Sequence, residues 1–129
     1  MRLALHIGLT ALLAYMVQWW LPAWSVVVCA GVVAMGIAST YVHAFFGGFT
    51  GIGLVWMTVS TVIDVRTHSI LSTKIAPLLG LPNPMLLVLL TGFIGGILGG
   101  LGAVSGYQLR RLLRFNGLLL SQLQELFSL

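Results

Sequence analysis

The sequence predicts an all-α integral membrane protein with four transmembrane helices, the last of them glycine-rich. Three observations carry this. Of the 129 residues, 59% are hydrophobic and only 6% charged, against about 25% charged in an ordinary soluble domain, and mean hydropathy is +1.08. The apolar runs are long enough to cross a hydrocarbon core of roughly 30 Å, and they are separated by short breaks holding prolines, tryptophans and the few charges. The third is residues 91–107, TGFIGGILGGLGAVSGY. At about 100° per residue, Gly92, Gly95, Gly96, Gly99, Gly100, Gly102, Ala103 and Gly106 share one side, and Phe93, Ile94, Ile97, Leu98, Leu101 and Val104 the other. A bare face lets another backbone come close where no water is left to expel, and a bulky face suits lipid.

The first span is expected over about 3–20. It is read as retained rather than cleaved, because its apolar region is long and no small-x-small site precedes Ser25. Ala4, Gly8 and Ala11 give it a small-residue stripe, and Trp19, Trp20 and Trp24 around Pro22 form an interfacial belt. The second span, about 22–39, carries Ala30, Ala34 and Ala38 at helical spacing. A short turn is placed at residues 39–43, since 24–63 is too long for one crossing. The third span, about 44–63, has Gly47, Gly51, Leu54, Thr58 and Thr61 on one seam and Phe45, Phe49, Ile52, Trp56, Val59 and Ile63 opposite. Its Gly47/Gly51 seam is the expected partner of the glycine helix.

Residues 64–83 form the one substantial loop. Its apolar residues, among them Ile70, Leu71, Leu78 and Leu79, predict a re-entrant or interface-lying segment, broken at Pro77 and Gly80. Asn83 before Pro84 is a helix start. The fourth span runs over about 84–110. After Asn116-Gly117, residues 117–129 predict a separate amphipathic helix, with Leu119, Leu120, Leu123, Leu126 and Phe127 facing one way and Ser121, Gln122, Glu125 and Ser128 the other. The chain thus divides into a bundle, 1–116, and a tail, 117–129. Arg2, Arg110, Arg111 and Arg114 fall on one side of four crossings and Arg66 and Lys74 on the other, so both termini are expected in the cytoplasm.

Little of this suggests chemistry. The net charge of +4 rests on six basic and two acidic residues at the ends of apolar runs, not on a clustered basic face, so nucleic acid is excluded as a partner. A single cysteine, Cys29, allows neither an internal disulfide nor a zinc site of cysteines. No Asp, Glu, Lys or Arg lies mid-span, which argues against a proton relay. His6 and His43 fall near the same face and read as interface residues, with a shared metal or proton as the sharper alternative. The best polar cluster is Asp64, Arg66 and His68 at the outer end of the third span. Asp64 and His68 stand one turn apart if the helix continues, close enough to hydrogen-bond, but two ligands do not complete a metal site. GGILGGLG lacks the Lys-Ser/Thr ending of a phosphate loop. No cofactor, metal site or catalytic residue is therefore assigned.

The segment RTHSILSTKIAPLLGLPNP, followed by the glycine helix, resembles a group of small, uncharacterised four-span bacterial membrane proteins. That resemblance implies an architecture and an inner-membrane address, without an activity. The chain lacks the first-span glutamate of small multidrug transporters and the Thr-Phe-Ser-Thr-Phe signature of fluoride channels. The expected function is non-enzymatic: an accessory, assembly or scaffold subunit packing in the bilayer against itself, as a homo-oligomer, or against a larger membrane protein. The alternative is a homo-oligomeric channel or transporter with a path lined by Thr50, Thr58, Ser60 and Thr61, and a membrane enzyme using Asp64 and His68 comes third.

Overall fold

The computed structural model describes residues 1–128. They fold into five helices: α1 (Arg2–Gln18), α2 (Ser25–Ile37), α3 (Tyr41–Arg66), α4 (Ile70–Leu78) and α5 (Pro84–Ser128). Two of them, α3 and α5, are long and apolar enough to cross a membrane, while α1 and α2 are apolar but shorter. At 1.5 Å per residue α1 spans about 26 Å and α2 about 20 Å. Four crossings are therefore not established by helix length alone.

α5 is the central element, packing against α2, α3 and α4. Contacts between glycines and their neighbours fix the directions. His6 and Thr10 of α1 meet Gly47 and Gly51 of α3, so these helices run parallel. Gly48 and Gly53 of α3 meet Gly99 and Gly92 of α5, so those two run antiparallel. Val27 and Gly31 of α2 meet Gly102 and Gly106. Arg2, the C-terminus of α2, the N-terminus of α3 and Arg110 therefore share one end of the bundle, and Arg66 and α4 lie at the other.

The glycine face of α5 is buried along its length, from Gly92 to Gly106, but its partner differs from the one the sequence predicts. The Gly47/Gly51 seam of α3 faces α1. It is the bulky face of α3 that enters the glycine cradle. A Cβ added at Gly100 would lie 2.7 Å from the Phe45 ring, at Gly96 2.9 Å from Phe49, at Gly99 2.5 Å from Ile52 and at Gly95 2.8 Å from Trp56. A ring seated in a glycine hollow makes more dispersion contacts than glycine against glycine. The backbones touch where α3 crosses at Gly48/Gly99 and where α2 crosses at Gly31/Gly106.

α1 differs too. Its buried face is His6, Thr10 and Ala14; Ala4 and Gly8 are exposed, and nothing stands near Gly8. On α2 the predicted Ala30, Ala34 and Ala38 are all buried. The α2–α3 break falls slightly earlier than predicted. Ala38 is extended, and the Thr40 side chain caps α3 by accepting from the His43 N–H at 3.2 Å.

Between α3 and α5, Pro77 does not prevent a helix but sits in the last turn of α4. That helix closes with a left-handed glycine. Gly80 has φ +70°, its N–H donates to the Pro77 carbonyl, and the Leu81 N–H donates to the Ala76 carbonyl at 2.8 Å. This reciprocal pair suits a residue without a Cβ. α5 starts at Pro84 as predicted, then runs unbroken through Asn116-Gly117 to Ser128, so the predicted tail is the same helix and not a separate one. Leu129, the last residue of that predicted tail, lies outside the described residues. From Arg111 to Ser128 every residue is exposed. This is an arm of about 27 Å that touches the bundle only at its base, where Arg111, Leu112 and Phe115 lie beside Tyr41 of α3.

Candidate functional site

Polar groups gather at both ends of α3. At the far end α3 stops at Arg66, and the backbone turns through two left-handed residues, His68 (φ 51°) and Ser69 (φ 57°). Each costs roughly 1–2 kcal/mol for a residue with a Cβ. The turn carries Ser69 and Ser72 back over Asp64. The Ser69 hydroxyl donates to Asp64 Oδ2 at 2.9 Å and the Ser72 hydroxyl donates to Oδ1. The Ser69 N–H also donates to the Asp64 carbonyl at 2.8 Å. Asp64 thus stitches α3 to the start of α4.

This geometry replaces the expected Asp64–His68 pair. The helix ends before His68 can complete the turn, and the carboxylate takes its hydrogen bonds from two serines instead. His68 and Arg66 are exposed, so the predicted triad does not assemble. Beside Asp64 lies a small pocket of about 150 Å³ between α3, α4 and α5, bordered by Ser60, Thr67, Ser72 and Thr91. The Thr67 and Thr91 hydroxyls are already committed to the Ile63 and Leu87 carbonyls of their own helices. Ser69 and Ser72 carry the corner and were not singled out in the sequence. The signal for them was the short serine spacing after Asp64, which means little until the left-handed turn is known.

At the near end the structure brings His6 and His43 together, with ring centroids 5.5 Å apart. The His6 ring lies flat against Gly47, and Thr10, one turn on, lies against Gly51. His6 and Thr10 are fully buried. Neither nitrogen of His6, nor His43 Nδ1, nor the Thr10 hydroxyl makes a hydrogen bond among the described residues. Two imidazoles do not close a zinc site, and no group of three or more potential metal ligands occurs among the described residues. Thr10 is the member of this cluster that the sequence did not mark, because its importance depends on the α1–α3 pairing.

The basic residues of α5 also gain partners. Tyr107 donates to the Ser39 carbonyl at 3.0 Å and Arg110 to the Ala38 carbonyl at 3.2 Å, so they satisfy the open carbonyls after α2. Arg111 donates to the Tyr41 hydroxyl at 2.7 Å and lies 5.6 Å from the centre of that ring. Immediately beyond this clasp the arm begins. Comparison with known protein families, curated proteins and solved structures finds no match.

Proposed function

We propose that this chain is a multi-pass membrane subunit of the assembly or scaffold kind, with no catalytic role, whose α5 arm is its contact element. The observation that carries this is the contrast along one helix: residues 84–110 are seated in the bundle, while residues 111–128 keep their leucines exposed, Leu120 at 67% and Leu126 at 69%. An apolar stripe of this extent on a straight projecting helix is covered by something else in the working protein.

In this reading all four apolar helices cross the bilayer, α1 and α2 with help from the turn and the tryptophans between them. Arg2 and the Arg110/Arg111/Arg114 group lie in the cytoplasm, by the positive-inside rule. The α4 corner then rests at the outer interface. The resemblance to small four-span bacterial inner-membrane proteins fits this address.

The channel reading draws less support. Thr50, Thr58 and Thr61 each donate to the carbonyl four residues back, at 2.6, 2.7 and 2.7 Å. Their hydroxyl protons are used within α3 and are not available as donors to a passing anion or solute. Purification of the full chain from native membranes in mild detergent tests the proposal. The expected product is a stable assembly that a chain ending at Gly117 fails to form while still inserting. A full chain recovered only as a monomer contradicts it.

A further inference from the structure

We infer that the occupant of the α5 arm is the same arm of a second copy, running parallel and in register about Asn116. This rests on the assembly reading above and names the partner. Leu109, Leu112, Asn116, Leu119, Leu123 and Leu126 follow one another at steps of three, four, three, four and three. That is a heptad seam, with Leu109, Asn116 and Leu123 at its first position and Leu112, Leu119 and Leu126 at its fourth. All six are exposed.

Three features point to self-pairing. First, Asn116 is the one polar residue of the seam. In a parallel, in-register pair the two amides face each other, and each supplies the donor and acceptor the other needs. A single asparagine at this position fixes register and oligomer state in paired helices. Against an apolar groove of another protein or against lipid, the same amide would be buried without a partner. Second, every charge on the arm, from Arg110, Arg111 and Arg114 to Glu125, falls at a position pointing away from the seam, and the flanking positions hold Leu113, Phe115, Leu120, Gln122 and Phe127. No like charges meet across a two-fold axis. Third, the stripe widens beyond the seam into exposed Leu113, Leu120 and Phe127, at 56%, 67% and 89%, apolar surface that a second helix laid along the seam would cover.

The bundle permits the approach. At about 100° per residue the seam lies roughly 140° around α5 from its glycine face, and only its base borders the bundle, Leu109 beside Val32 and Met35 of α2 and Leu112 beside Tyr41 of α3, so a second arm has a free approach from Asn116 onward. The seam also continues downward into exposed Ile94, Leu98 and Leu101. Two copies can therefore stay in contact from the arm into the outward face of the bundle.

The test uses the full chain in a Cys29→Ser background, with single Leu119→Cys, Leu123→Cys and Ser121→Cys substitutions. It is run in native membranes and again after reconstitution alone into phosphatidylethanolamine–phosphatidylglycerol vesicles. Self-pairing predicts disulfide-linked dimers at positions 119 and 123 in both settings and little at 121. Leu123→Glu placed in the Leu119→Cys chain should abolish the crosslink without loss of membrane insertion. Asn116→Leu should keep association but broaden one oligomer size into several. Shielding of position 119 from a water-borne thiol reagent only in native membranes, without dimers, overturns self-pairing and leaves assembly with a different protein standing. Shielding without dimers that persists in the vesicles assigns the arm to the bilayer surface and overturns both readings. So does free labelling at 119 and 123 in native membranes.

Discussion

α5 is one uninterrupted helix with two regimes. Over residues 84–110 its side chains are deleted wherever a neighbour passes, and glycine serves as the receiving surface for Phe45, Phe49, Ile52 and Trp56. Over residues 111–128 the logic reverses. Beyond its base at Tyr41, the helix carries leucines outward, exposed along the described residues. In the first half glycine weakens the helix by roughly 0.5–1 kcal/mol per residue relative to alanine, and close packing compensates. In the second half only Gly117 remains, with nothing within 4 Å of the position a Cβ would take. The two halves show that an unbroken helix can hold a fold together over one half and project clear of it, leucines exposed, over the other.

The largest expected effect comes from filling the backbone crossings. Gly106→Leu drives a side chain into the Gly31 backbone, which cannot rotate away, and should exceed the usual 1–3 kcal/mol of overpacking. Loss of detergent-resistant folding measures it. Val104 is half-buried against the core, so the control is Leu98→Phe on the exposed face of α5, which should leave folding unchanged. Equal tolerance at 98 and 106 would mean that the glycines do not serve as a packing face.

His6→Ala comes next. It empties the space above Gly47 and should cost roughly 2–4 kcal/mol, as core truncations do. His6→Phe refills that space without nitrogens that lack partners and should recover most of the loss. Thermal unfolding in detergent reads both. Failure of the phenylalanine to recover stability would assign the imidazole nitrogens a partner, and the near-end cluster would then become a binding site.

The far-end corner should respond less. Asp64→Asn keeps an acceptor for one serine and weakens the other bond, at a cost of about 1 kcal/mol. His68→Gly relieves a left-handed residue and should be neutral or stabilising by up to about 1 kcal/mol. A strong loss at His68 would restore the Asp64–His68 pairing that the sequence predicts.

Much of the fold was readable because glycine and alanine placement reports which faces are bare. The α5 seam and the α2 stripe follow from it, and the Pro84 start follows from Asn83-Pro84. Which partner fills a bare face does not, since Gly47 and Gly51 suit a backbone seam as well as they suit His6 and Thr10. The Asp64 corner depended on two left-handed residues that neither His nor Ser signals. The continuity of α5 was hidden by Asn116-Gly117, a turn signal in isolation, overridden here by helix on both sides.

The most direct measurement compares unfolding of Gly99→Leu and of a chain ending at Gly117, side by side in one detergent. Division of α5 into a packing half and a contact half predicts a much lower transition for Gly99→Leu, as its added side chain meets Gly48 and Ile52. The shortened chain should unfold where the full chain does once both are monomeric. A shortened chain that unfolds early beside a tolerant Gly99→Leu would contradict that division.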